Sequence, residues 1–307
     1  MDKTECPGIL RSNQKGFALL ITLSVLSAVI VLTTVLLSYF EKVRNDAVDT
    51  KALIQADLYY TDIVYLFKGI KDKKSLFGKL YESPIPLSDS EGRFSLVLDC
   101  KPLVKGVDIN WLGLEENGKM QPHYKAAQEL FEHIAFTYNI QNPLRLQEMI
   151  LEEIGKDNRI VTREQRRLSQ KKGMISYRQF SDILLRYRLE EDDAEIERIA
   201  WEKYFSFFPD AKVISEKYMS GELIALLFDM DLLAAKEWES KHDSMSLESF
   251  VSERGGDFGR YSSLFAGDTF TNQSACTVQY AMDGKQYRFG FEWIEEEAKH
   301  FEFYGQY

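Results

Sequence analysis

The sequence predicts an α+β protein: one very long N-terminal helix, then a small sheet with a large all-α domain inserted into it. Three observations carry this expectation. Residues 17–37, FALLITLSVLSAVIVLTTVLL, hold no charge, no Gly and no Pro. Helical periodicity dominates residues 113–264. Alternation of apolar and polar residues appears only on either side of that block.

The chain has 307 residues, room for one large domain or two modest ones. Hydrophobic residues make up 45% and charged residues 28%, a balance that supports a packed core rather than wholesale disorder. The net charge of −10 repels phosphate backbones and argues against nucleic acid as the main partner. No internal repeat and no low-complexity tract is present.

The apolar run of residues 17–37 would be roughly 30 Å long as a helix, matching a bilayer core. A soluble core helix of this length would carry a polar face, and this run has none. Thr22, Ser24, Ser27, Thr33 and Thr34 fit a span, because their hydroxyls can bond back to helix carbonyls. Lys3, Arg11 and Lys15 precede the run, whereas Glu41, Lys42, Arg44 and Asp46 after it are of mixed sign. This asymmetry favours an N-terminus inside and the bulk of the chain outside. The run ends LLSYFEKV, a poor signal-peptidase site, so the segment reads as retained. Phe40, Val43, Ala47, Ile54 and Leu58 continue the helical spacing, and Gly69 is the expected stop.

After Gly69, Ser-Pro-Ile-Pro and Ser-Asp-Ser-Glu-Gly are loop chemistry. Phe94, Leu96, Leu98 and Cys100 alternate as one face of a strand, and a second extended piece is expected over 107–112. HYKAAQELFEHIAFTYNI, PLRLQEMILEEIG, ISYRQFSDILLRYRLE, DDAEIERIAWEKYFSFF and SGELIALLFDMDLLAAKEWES read as helices. Pro143 suits a first turn and Ser220 an N-cap. Cys276, Val278 and Tyr280 then share one strand face, and Tyr287, Phe289, Phe291 and Trp293 another. Asp283-Gly284 between them signals a hairpin.

A basic leader ending in Lys15-Gly16, then Phe17 and an unbroken apolar helix, resembles the type IV prepilin signature. The resemblance implies cleavage after Gly16 by a prepilin peptidase on the cytoplasmic side, with Phe17 as the methylated first residue. Glycine suits that position because a protease must approach the backbone closely. Most pilins carry glutamate as the fifth mature residue; here it is Ile21. A carboxylate there compensates a neighbour's N-terminal ammonium in an apolar filament core, where an unpaired charge is costly. A subunit without it ends a stack more easily than it sits inside one. Loss of this glutamate is a habit of the general secretion pathway protein K family, a minor pseudopilin of type II secretion. The family's A-L-L-[IV]-x-L start is similar to Ala18, Leu19, Leu20, Ile21 and Leu23. The similarity covers most of the chain in layout and is motif-specific over the first 40 residues.

That resemblance implies a leader at 1–16, a long helix at 17–69 with its membrane span at 17–37, and a pilin-like α/β domain in two parts. These are residues 70–112 and 265–307, separated by an α-helical insertion at 113–264. The helix-packing surface would include Phe17, Ile21, Leu26 and Leu37. Cys6 would leave with the leader. The remaining pair, Cys100 and Cys276, is a disulfide candidate in an oxidising periplasm; two buried free thiols are the alternative. Calcium is a cofactor candidate by resemblance, with Asp99, Asp108, Asp268 and Asp283 as nearby acids, none of diagnostic spacing; no ligands are assigned and no other cofactor is expected.

Catalytic motifs are absent from the sequence: no H-E-x-x-H, C-x-x-C, G-x-S-x-G or Walker loop. Asp257-Phe258-Gly259 has no kinase context, and GGDFG at 255–259 reads as a flexible exit from the helices. Glu129 and His133 can share a helix face. Arg163, Arg166, Arg167, Lys171 and Lys172 form a basic cluster. Glu190, Glu191, Asp192, Asp193 and Glu195 form an acidic one, expected to be structural near a helix start or to dock a partner. The expected function is therefore non-enzymatic: a minor pseudopilin at the tip of a type II secretion pseudopilus. It would be held in the inner membrane by one span, with its C-terminal domain periplasmic. Its partners would be other minor pseudopilins, prepilin peptidase, and a secreted substrate or the outer-membrane channel. A minor pilin of a type IV or DNA-uptake filament, and a membrane-tethered periplasmic enzyme, are the alternatives.

Overall fold

A computed structural model describes residues 12–88, 95–155, 173–267 and 270–307. Its first element is one helix, α1 (Ser12–Gly69), of 58 residues, about 87 Å long at the usual rise. It starts ahead of the expected 17–69 helix, so Gly16 lies within its first turns rather than at a break. It stops at the first glycine after residue 16, as periodicity predicts. α2 (Lys73–Glu82) follows, capped by Asp72, whose Oδ1 accepts the Ser75 N–H at 3.0 Å. It buries Phe77, Leu80 and Tyr81. Ten residues with three apolar contacts give periodicity too little to grip, and sequence reading has no counterpart for this helix.

The strands are β1 (Ile85–Ser88), β2 (Ser95–Pro102), β3 (Val107–Asp108), β4 (Phe205–Ser206), β5 (Gln273–Met282), β6 (Lys285–Ile294) and β7 (Glu297–Gln306). Five of them form one antiparallel sheet in the order β1-β2-β5-β6-β7. Phe94 lies outside the described residues; the rest of the alternation lands as expected, with Leu96, Leu98 and Cys100, then Cys276, Val278 and Tyr280, then Tyr287, Phe289, Phe291 and Trp293 all buried on one face. Asp283 (φ 51°) and Gly284 (φ 77°) turn the β5–β6 hairpin, both left-handed, as a type I′ turn requires. β1 falls in the stretch read as loop, because Pro86 masks it; a proline is tolerated there since β1 is an edge strand. β7 is the other edge. Its Glu297, Lys299 and Glu302, and a left-handed His300 (φ 55°), suit an edge that does not recruit further strands.

The second half of α1 lies against this sheet. Ala52, Ala56, Ile63 and Phe67 fall on one helix face and are buried. The two alanines let the helix approach closely, and the Tyr280 hydroxyl donates to the Ala52 carbonyl at 2.5 Å. Phe67 meets Phe77 at 5.1 Å and Trp293 at 5.3 Å, both edge-on, a favoured aromatic geometry.

Between β2 and β5 lies the helical block: α3 (Gln121–Thr137), α4 (Pro143–Gly155), α5 (Tyr177–Glu191), α6 (Gly221–Phe228), α7 (Leu232–Lys236), α8 (Trp238–Lys241) and α9 (Leu247–Glu253). It has its own apolar core. Five expectations need correction here. The extended piece expected over 107–112 is extended only at β3 and then turns as a 3-10 helix, Ile109–Gly113. It packs into the block's core through Val107, Ile109, Trp111 and Leu112 rather than joining the sheet. The block is not all-α, because β3 pairs in parallel with β4. The expected helix over DDAEIERIAWEKYFSFF is two short 3-10 turns and β4. Its Trp201, Tyr204, Phe205 and Phe208 are all buried, and such a dense aromatic run favours extended or irregular backbone over helix. The helix expected over SGELIALLFDMDLLAAKEWES is broken into three. Asp229 turns left-handed (φ 51°) and Asp231 caps the next piece by accepting the Leu233 and Ala234 N–H groups. Residues 255–259, expected as a flexible exit, instead hold the N-cap of a 3-10 helix: Asp257 accepts the Gly259 N–H at 3.0 Å.

Candidate functional site: the N-terminal helix and its seat on the sheet

Among the described residues, the first half of α1 is exposed along its whole length. Phe17 is 67% exposed and Leu37 65%; Ile21 and Leu26 are exposed between them. Its mean hydropathy reaches 2.6 over the most apolar window. Thr22, Thr33 and Thr34 turn their hydroxyls back onto the carbonyls of Leu19, Ile30 and Ile30 at 2.8–2.9 Å. These bonds satisfy the three threonine hydroxyls within the helix, as a helix in lipid requires. Among the described residues this is the one helix long and apolar enough to cross a membrane, and it is compatible with a single span.

Beyond the apolar half the helix becomes two-faced. One face is buried on the sheet. The opposite face carries Ile54, Leu58 and the 78% exposed Tyr65, which lie about 200–240° around the helix from Ala52 at 100° per residue. Lys51 ties the helix to the hairpin through Asp283 at 3.0 Å.

The structure brings Cys100 and Cys276 together as directly opposed residues of β2 and β5, bonded, with Cα atoms 4.0 Å apart. The other candidates are dispersed. Asp283 is occupied by Lys51, Asp99 lies on β2, Asp108 is inside the helical block, and Asp268 lies outside the described residues. Among the described residues no group of three or more His, Cys, Asp or Glu side chains is placed to hold a metal ion. The basic cluster from Arg163 to Lys172 lies outside the described residues. Glu129 does not pair with His133; it accepts from Tyr261 at 2.7 Å and faces Arg260 at 2.9 Å. The acidic cluster straddles the end of α5 and the start of the 3-10 helix Ala194–Arg198, where Asp193 is the N-cap and Glu195 lies in the first turn. Glu190 binds Arg145 at 2.7 Å, and buried Asp193 accepts N–H groups of Gln141 and Glu195 at 3.1 Å. His123 meets the Lys212 carbonyl at 2.7 Å, and His300 meets Glu292 at 2.7 Å.

One polar centre has no counterpart in the sequence reading as a site. Asp108 is fully buried. Its carboxyl accepts the Asn110 N–H at 2.8 Å, Asn110 Nδ2 at 2.7 Å and the Phe208 N–H at 2.6 Å. Burial pushes its pKa up to about 7 against those three donors, with Asp210 adding repulsion. Asn110 in turn grips both the N–H and the carbonyl of Met174. This knot joins β3, the segment before α5, and the residues after β4. The pattern Asp-x-Asn, an Asx turn two residues long, was the available signal.

No family model matches this chain, and no curated protein sequence matches it.

Proposed function

We propose that this chain is a membrane-anchored, non-enzymatic minor pseudopilin, similar to the K subunit of type II secretion. The observation that carries the reading is α1 itself: an uncharged, bare half, with Ile21 where a filament-core glutamate would sit, continuing without a break into a half seated on an antiparallel sheet. A helix that merely anchored an enzyme would need no seat of that kind. The exposed stripe of Ile54, Leu58 and Tyr65 supports packing against sister helices beyond the membrane as well as within it. The insertion between β2 and β5 supports a bulky head above the pilin-like part, and the bonded cysteines support a periplasmic location for it. Cleavage after Gly16 then requires the first turns of α1 to unwind into the protease, as helix ends readily do.

The test is the N-terminus of protein purified from cells that contain prepilin peptidase. The expected product begins with methylated Phe17, and Gly16→Trp leaves a precursor heavier by residues 1–16. Equal, unprocessed masses for both proteins refute the reading.

A further inference from the structure

Among the described residues, the chain leaves the five-stranded sheet after Pro102 and returns to it at Gln273. The two crossings run side by side, with the Leu103 N–H donating to the Gln273 carbonyl at 3.1 Å. Just inside them, Cys100 and Cys276 are bonded across β2 and β5, both buried. The seam outside this staple is thin. Every pair of elements in extended contact lies wholly within the sheet body or wholly within the helical block. Across the seam, Tyr81 meets Tyr218 edge-on at 4.9 Å, and Ile294 of β6 reaches into the block's core. A cleft of about 550 Å³ lies between α5 and the sheet, lined among others by Asp182, Thr277, His300 and Tyr304.

We infer that the Cys100–Cys276 disulfide uncouples the two halves: the sheet body, with α1 seated on it, keeps its fold while the helical block opens as a separate unit. The physical reason is loop closure. Without the bond, β2 finds β5 only if a segment with a sequence separation of 176 brings its ends together, which a folded block does and an open one does not. With the bond, the ends stay together whatever the block does. The block can thus deform under load or on engaging a partner without releasing the anchor. This inference stands on the fold alone and does not depend on the pseudopilin reading.

The test is hydrogen exchange by mass spectrometry on the full chain in detergent, across a urea series, oxidised and after reduction in urea and refolding under reductant. In the oxidised protein, peptides from residues 121–155 and 177–264 are expected to lose protection at lower urea than peptides from 47–68 and 273–294. In the reduced protein both groups are expected to lose protection together. Asn110→Ala, which loosens only the block, should lower the block's midpoint alone when oxidised and both midpoints when reduced. A single shared transition in the oxidised protein, a sheet body that opens first, free thiols in the purified protein, or separate transitions that survive reduction each overturn the inference.

Discussion

Phe67 holds the lower half of α1 onto the sheet, and its removal gives a sharp test of that seat. The ring is 3% exposed and meets Phe77, Trp293 and Phe291 at centroid distances of 5.1, 5.3 and 6.2 Å. Phe67→Ala removes a buried ring and leaves a cavity, which costs about 3–5 kcal/mol. Each lost edge-on pair adds a share of about 0.5–1.5 kcal/mol to the ring's area burial. A net loss of about 4 kcal/mol from the sheet body is therefore expected. Tyr65, only two residues away, is 78% exposed on the other face. Tyr65→Ala should change stability by no more than about 0.5 kcal/mol. The assay is the urea midpoint of exchange protection over residues 47–68 and 285–294 in the oxidised full chain, with the slope checked for constancy. A loss below about 1 kcal/mol for Phe67→Ala, or equal effects of the two variants, refutes the docking argument.

Two further outcomes follow from the block. Asp108 holds its proton to about pH 7 in the fold, whereas an unfolded aspartic acid releases it near pH 4. Between those values the native state binds the extra proton, so the block's stability should fall as pH rises through that window and then level off. The fall attributable to Asp108 is up to about 4 kcal/mol, measured as the difference between the wild type and Asp108→Asn in urea midpoints from pH 4.5 to 7.5; a difference that grows in the wild type's favour with rising pH contradicts it. Gly221 opens α6 where an added Cβ would stand 2.7 Å from the Lys236 Cα. Gly221→Ala should therefore cost about 1–3 kcal/mol through backbone displacement, read as a lower thermal midpoint for the block; an unchanged midpoint means the α6–α7 approach is looser than described.

What sequence could reveal here tracks how local the causes are. The stop of α1 at Gly69, the hairpin at Asp283-Gly284 and the buried rows of β2, β5 and β6 rest on periods and turn chemistry within a few residues, and they land as read. The stretch from Asp192 to Phe208 does not. Its apolar residues fall three and four apart, but so many are aromatic and buried that packing around Trp201 and Phe205 overrides helix. The break at Asp229 is equally quiet in sequence, since an aspartate inside an apolar period reads as a solvated position until its left-handed backbone is seen. Among the site residues, the bare helix was legible because composition alone defines it. The knot at Asp108 and Asn110 was not, because its partners, Met174 and Phe208, are 64 and 100 positions away.

The strand order also sets a timetable for the ribosome. β2 is made early, yet the strand it must lie beside emerges 176 positions later, a wait on the order of 10–35 s at usual translation rates. Throughout that interval Leu96 and Leu98 have no neighbour on the β5 side, and by its end the helices α3 to α9 have been made. Assembly of the insertion therefore precedes completion of the platform that carries it, and the last 35 residues decide whether the oily row left open since the first third of synthesis is ever covered.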